Sequence, residues 1–407
     1  MPYKATATRE LTRPEFIALL AAIMSLNALA IDVMLPALPQ MGDALGVATE
    51  NERQFVIAAY MLGFGAAQLV FGPLADRFGR RGPLLVGLAI YISCAFAAAF
   101  ATDFTVLLAL RAIQGVGASA TRVVANSVVR DRFAGRAMAE VMSLIFMVFM
   151  AVPVIAPGLG QVLLFVSPWP ALFIFMAGLA TVFGLWALLR LPETLDPARR
   201  RPLTAAAVIG GFSIVFANRM AFSYGLAGMF LFGALVGFIN TAQQIYVDVF
   251  DLGVWFPVPF AAVAGLMAVS SFLNSRIVRH FGMRRLSHGA VLVFTGVSAV
   301  WLALSLAGLM PLWLFLGLHA VIMFTFGWAA SNMNSLSMEP LGAVAGTASS
   351  VFGFIQTVGG ALLGTVIGQA FDGTLVPVSG GYFVMGALAL GAILVAENGK
   401  LFGVGHA

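Results

Sequence analysis

Charge is scarce in this sequence: Asp, Glu, Lys and Arg together make up 10% of its 407 residues, where an ordinary soluble domain carries about a quarter. Too few charges remain to cover a globule in water. Cysteine is almost missing as well, since Cys94 stands alone in an apolar run, which removes a disulfide framework and a cysteine metal cluster and leaves it as a small core filler. There is no nucleophile-base set, no nucleotide-binding glycine loop and no grouping of metal ligands, so an enzyme is not indicated. Basic residues are not interleaved with aromatics over any useful length outside the apolar runs, which removes a nucleic-acid partner. Strict two-residue alternation is absent too, and with it a membrane β-barrel.

What the chain does have is apolar length. The hydrophobic fraction is 61% and mean hydropathy is +0.98, the composition of a polytopic membrane protein. A helix needs about 20 residues to cross about 30 Å of hydrocarbon. Twelve runs meet that need, at 14–37, 53–73, 83–101, 104–128, 137–164, 168–190, 220–247, 254–279, 286–307, 311–334, 342–371 and 377–397. Met1 to Pro14 is polar and basic, but the first run is too long for a signal-peptide core and shows no cleavage site. It should stay as the first span.

The sum of charge, +5, matters less than its placement. On one side of the runs lie Arg77, Arg80, Arg81, Arg130, Arg132, Arg136, Arg199, Arg200, Arg201, Arg279, Arg284 and Arg285; on the other lie Asp43, Glu50, Glu52, Asp103, Asp248, Asp251 and Asp372, with Arg53. By the positive-inside rule the arginine side is cytoplasmic, and both termini lie there. Arg199, Arg200 and Arg201 with Pro192, Pro197 and Pro202 interrupt the middle of the chain. They divide it into halves at 1–190 and 220–407, joined by a cytoplasmic linker at 191–219. Leu203 to Asn218 either lies along the interface or extends the seventh span. Phe78-Gly79-Arg80-Arg81 is echoed 203 positions later by Phe281-Gly282-Met283-Arg284-Arg285, the mark of a parallel duplication. Arg279 replaces Asp76 in the echo, so the second loop should latch less.

Gly72-Pro-Leu-Ala-Asp76-Arg-Phe-Gly-Arg80-Arg81 sits between two membrane-length runs, and it resembles the loop between helices 2 and 3 of the major facilitator superfamily. The resemblance implies an all-α integral membrane fold with twelve transmembrane helices in two pseudo-symmetric six-helix halves. It also implies that Asp76 caps a helix of the opposite half while Arg80 pairs with Asp131, a latch on the cytoplasmic side. A carboxylate at a helix N-terminus is worth roughly 0.3 to 2 kcal/mol, which suits a latch that opens.

Two charges stand inside spans. Asp32 lies near the end of the first run, before Pro36, and an acid there costs roughly 2.5 to 3.5 kcal/mol on insertion scales. Arg111, in Arg111-Ala-Ile-Gln-Gly-Val-Gly117, resembles the family's helix 4 motif. Counted from the outer ends the two lie within a turn or two of each other, and are expected to face one another across a cavity. A carboxyl between low dielectric and a cation is poised to exchange protons. Arg122 follows Arg111 on nearly the same helix face about 16 Å deeper, as a cavity lining or as an arginine snorkelling inward. Pro153, Pro157, Gly158 and Gly160 resemble the helix 5 motif of exporters; with Asp32 and Pro36 they make the chain look like a Bcr/CflA-type drug/proton antiporter.

Asn27, Tyr60, Arg122, Asn240, Gln243, Gln244, Tyr246, Trp328, Asn332 and Gln356 are the candidates for lining a substrate cavity, with interhelical hydrogen bonding as the plainer role for many. His319 reads first as a hydrogen-bonded structural histidine and second as a proton carrier. The expected protein is a monomeric exporter of small, largely apolar drugs in the bacterial inner membrane, surrounded by lipid. It would use no cofactor besides the proton as coupling ion. The alternatives are import of a metabolite or organic anion, and a membrane sensor or assembly protein without transport.

Overall fold

The computed structural model describes residues 11–133, 135–200 and 205–402. Arg201 and Pro202 of the linker, and both chain ends, lie outside the described residues. Twelve helices are long and apolar enough to span a membrane: helix 1 (Arg13–Ala44), helix 2 (Glu50–Phe78), helix 3 (Arg81–Ala98), helix 4 (Phe104–Arg132), helix 5 (Glu140–Val166), helix 6 (Pro170–Arg190), helix 7 (Arg219–Val249), helix 8 (Gly253–Phe281), helix 9 (Met283–Leu306), helix 10 (Leu312–Leu341), helix 11 (Thr347–Gln369) and helix 12 (Val376–Ala396). No strand occurs among the described residues.

Local sequence sets where they start. The Thr12 hydroxyl accepts from the Glu15 amide at 3.4 Å, Asp103 accepts from Val106 at 3.0 Å and Asn218 accepts from Ala221 at 2.9 Å. Each satisfies a helix-end amide that has no partner within its own helix. Asn218 also settles the stretch before helix 7. Residues Ala205–Ala217 form a separate helix, too short to span, which stops where Asn218 leaves helical geometry. The repeat is visible in the backbone: Gly79 and Gly282, at φ +95° and +79°, end helices 2 and 8 in the left-handed region that glycine alone enters at little cost.

Helices 1–6 pack among themselves, as do helices 7–12. Across the two halves, helix 2 runs along helix 11 and helix 5 meets helix 8. Several runs are longer or shorter than the sequence indicated. Helix 1 continues past Pro36 through a tight turn at Leu35–Ala37 to Ala44, because a proline at the start of a turn has no amide to lose. Helices 7 and 11 each contain a widened turn, Ile245–Val249 and Ile355–Gly359, a feature frequent at functional sites.

The end that carries the acidic loops is clasped. Gln54 Nε2 donates to Gln244 Oε1 at 2.8 Å and to the Gly368 carbonyl at 3.2 Å. Asn51 Nδ2 donates to the carbonyls of Gln369 and Phe371 at 3.1 and 2.7 Å, and Gln244 Nε2 returns a bond to Asn51 Oδ1 at 2.9 Å. Gln369 Nε2 closes the ring on the Asn51 carbonyl at 2.7 Å. Midway along the same seam Gln68 Nε2 donates to Thr357 Oγ1 at 3.1 Å. A neutral, reciprocal set of bonds worth about 1 kcal/mol each can hold the halves together and still come apart. Replacing Asn51 and Gln54 together by Ala should loosen this end. Spin labels at the exposed Asp43 and Asp251 should then report a longer or broader distance distribution than in the parent.

Candidate functional site

Arg111 is a charge inside the first half with every arm of its guanidinium engaged. Glycines bring helix 4 close to its neighbours, with Gly115 against the Tyr60 backbone of helix 2 and Gly117 against Gly87 of helix 3. This places a fully buried guanidinium between helices. Its Nη2 donates to the Ala30 carbonyl at 2.8 Å, its Nε to the Val56 carbonyl at 3.2 Å and its Nη1 to Gln114 Oε1 at 2.7 Å. Its central carbon lies 4.5 Å from the Tyr60 ring centre and 6.0 Å from that of Phe173, close enough for cation–π attraction. Ala30 is in the last turn of the regular part of helix 1, where carbonyls lack an intrahelical donor. Arg111 thus supplies the donor that the helix end needs.

Asp32 closes that same turn. It is 4% exposed and makes no hydrogen bond or ion pair among the described residues. The expected facing pair is therefore not what the fold shows. Arg111 reaches helix 1, but it binds the backbone two residues before the acid. The reason is local: the helix-end carbonyl already sits within reach and leaves the guanidinium no need of the carboxyl.

Helix 5 meets the other side of this point. Pro153 and Pro157 lie within one continuous helix. Any side chain on Gly160 would run into the Val33 carbonyl and the Pro36 ring, so glycine is what lets helix 5 lie against the residue after Asp32. Gly158 faces open space and takes no part in this approach. The carboxyl therefore lies between a backbone tie at residue 30 and a backbone contact at residue 33.

The remaining candidates divide by role. Asn27 donates to Thr121 Oγ1 at 2.7 Å and accepts from the Tyr60 hydroxyl at 3.3 Å, so both are interhelical ties inside the first half. Gln244 belongs to the clasp. Trp328 donates to the Ser270 carbonyl at 3.0 Å, and Asn332 exchanges bonds with Asn274. Gln356, in the widened turn of helix 11, lines a small cavity with Tyr224, Asn334 and Phe352. Asn240 and Gln243 are buried, and neither amide atom of Asn240 has a partner. Arg122 is half-buried with no hydrogen bond or ion pair among the described residues, on the side of helix 4 away from Gly117 and Ala120, which face helix 3.

His319 is fully buried, yet neither ring nitrogen has a partner among the described residues. The first reading, a hydrogen-bonded structural histidine, does not hold. Tyr246 is equally buried and its hydroxyl is likewise unpartnered.

At the basic end, Arg80 Nε donates to Asp131 Oδ2 at 2.8 Å and its Nη1 to Asp76 Oδ1. Burial works against the Arg80 charge, but its hydrogen bonds to Asp131 and Asp76 outweigh it and hold the guanidinium above its ordinary value. Asp131 also accepts from Thr194 Oγ1 at 3.1 Å. Sequence reasoning missed Glu193, whose carboxylate accepts from the amides of Arg80 and Arg81 at 2.8 and 3.2 Å and so caps helix 3. Its position beside Pro192 in the polar linker was the available signal. Asp76 is engaged within its own half, and the side chains at 342–346, before helix 11, lie outside the described residues.

Comparison with known proteins agrees with the fold. The family model described as Major Facilitator Superfamily matches residues 20–364. A bicyclomycin resistance protein homolog of Haemophilus influenzae is 27% identical over 387 residues, covering 93% of this chain and 94% of the relative. The multidrug resistance protein MdtL of Klebsiella pneumoniae is 31% identical over 363 residues, covering 88% and 90%. Among solved structures, that of the human organic anion transporter MFSD10 (TETRAN) superposes with a TM-score of 0.66 at 19% identity, covering 94% of this chain and 99% of that one, a likeness of fold.

Two substitutions test the site. Arg111→Lys keeps the charge but loses the fork that serves three acceptors, and should lower thermal stability by roughly 2–4 kcal/mol. Gly160→Ala should cost about 1–3 kcal/mol by overpacking against Val33 and reduce transport more than Gly158→Ala does. Equal effects of the two glycine substitutions in a transport assay would contradict the assignment.

Proposed function

The chain belongs to the Major Facilitator Superfamily, and from that premise we propose that it is a multidrug exporter that exchanges small, largely apolar drugs for protons by alternating access. Its drug-resistance relatives cover nearly its whole length, which supports drug efflux and a transporter rather than an enzyme. The arginine-rich end faces the cytoplasm by the positive-inside rule. Both termini lie there, and the linker at 191–219 joins two halves that rock against each other in a bacterial inner membrane. One copy in lipid suffices, with the proton as the coupling ion and no other cofactor. In this frame the clasped acidic end is the outer gate, closed.

The observation that carries proton coupling is the unpaired carboxyl of Asp32 held in a membrane span between Ala30 and Val33. An isolated carboxylate there is costly, so Asp32 holds its proton in this arrangement. Loss of the proton creates an anion two residues from the carbonyl that Arg111 grips. The guanidinium then has a charged partner to prefer over a neutral one, and the tie at the end of helix 1 shifts. Drug that favours the shifted arrangement promotes proton loss, and proton binding promotes drug release; the coupling is reciprocal. A second reading, carriage of an organic anion, is favoured by Arg122, a cation without a partner in the described structure.

Asp32→Asn should leave the protein folded in the membrane and abolish efflux driven by a pH gradient in proteoliposomes. Efflux at the parental rate in that variant would remove Asp32 from the coupling.

A further inference from the structure

Arg111 is the eighth residue of helix 4, counted from Phe104, and His319 is the eighth of helix 10, counted from Leu312. These helices are equivalent in the repeat, and both side chains are fully buried. Their surroundings correspond in part, since each meets a ring from the last helix of its half, Phe173 of helix 6 and Tyr382 of helix 12. The Arg111 guanidinium rests on Tyr60 and on Phe173 of helix 6. The His319 ring lies 4.1 Å from Phe238 of helix 7, 5.5 Å from Phe315, 5.7 Å from Trp301 of helix 9 and 5.8 Å from Tyr382 of helix 12, centre to centre. An aromatic enclosure of this kind attracts a cation through the ring faces.

The difference is in the polar contacts. Arg111 donates to three acceptors, whereas His319 Nδ1 and Nε2, Trp301 Nε1 and the hydroxyls of Tyr246 and Tyr382 all lack partners among the described residues. Buried polar atoms of this kind are normally satisfied, and here several meet around one imidazole. Tyr246 reaches the cluster from helix 7 through Phe315 at 5.8 Å. The groups presented by helices 7, 9 and 12 are rings and hydroxyls; none of the residues in ring contact with His319 is Asp, Glu, Lys or Arg.

We propose that His319 is a second proton-binding site, the switchable counterpart in the second half of the permanent cation Arg111. When the outer gate opens, water reaches the ring, a hydrated proton adds to its free nitrogen lone pair and the aromatic enclosure holds the imidazolium. Closure of the gate and return to the arrangement seen here follow loss of that proton to water. This rests on the antiport reading for its role in transport, but the protonation itself can be measured without cargo.

The test uses the full chain in lipid nanodiscs, with Asn51→Ala and Gln54→Ala loosening the outer gate. Titration from pH 8 to pH 5 should quench the fluorescence of Trp301, because an imidazolium beside an indole quenches it. The quench should vanish in His319→Phe, which keeps the enclosure filled, and in His319→Gln, and the Trp301→Phe protein should lack it. A pH profile unchanged in both His319 variants overturns the proposal. In proteoliposomes, drug flux driven by a pH gradient should fall at least tenfold in His319→Phe; parental flux there also overturns it. A wild type that shows the titration but no gradient-driven flux refutes antiport and leaves the proton site standing.

Discussion

The first half of the molecule is organised around the tie between the Arg111 guanidinium and the Ala30 carbonyl. A cation in a membrane is tolerable only if its donors are used, and a helix interrupted within a span is tolerable only if the carbonyls freed there find donors. Each problem answers the other. The tie is made to Ala30, two residues before Asp32 in the chain, and does not include the acid. The contact of Gly160 with Val33 fixes the same turn from the other side. Small changes of charge at Asp32 therefore act on a point where three helices meet.

The two halves share a backbone plan and differ in its chemistry. The loops after helices 2 and 8 turn at equivalent glycines, yet among the described residues only the first holds an ion-pair set, that of Asp76, Arg80 and Asp131. The second half puts its charges at the end of the chain instead. Arg284 donates to Glu397 at 2.8 Å, and the Tyr224 hydroxyl donates to Glu397 at 2.7 Å and meets His288 Nε2 at 2.9 Å. Burial would raise the Glu397 carboxyl, but those two donors prevail and hold it below the ordinary carboxylate range. One half is tied through its loop and the linker, the other between helix 9 and the residue after helix 12.

Much of this was legible in the sequence because membrane length and charge placement are written residue by residue. The twelve runs, the repeat at Phe78 and Phe281, and the pairing of Arg80 with Asp131 follow from local pattern and a family resemblance. The arrangement around Arg111 did not, because two of its three acceptors are main-chain carbonyls, which no side-chain pattern announces. Asn27 and Tyr60, cavity candidates in the sequence, instead tie helices together through side chains far apart in the chain. Asn51, Gln54 and Gln369 were overlooked: a neutral amide in a loop looks unremarkable until the chain has folded back to bring helix 11 beside it. His319 was misread because burial was visible in the pattern and the lack of a partner was not.

The central claim is that the Asp32 carboxyl carries a proton which the cargo displaces. The most direct measurement is proton release from detergent-solubilised protein in weak buffer on addition of an antibiotic panel that includes bicyclomycin. The account predicts release from the wild type, saturating with drug, and a reduced release from Asp32→Asn that still binds drug. Identical release from both proteins, or drug binding to the wild type without any release, would contradict it.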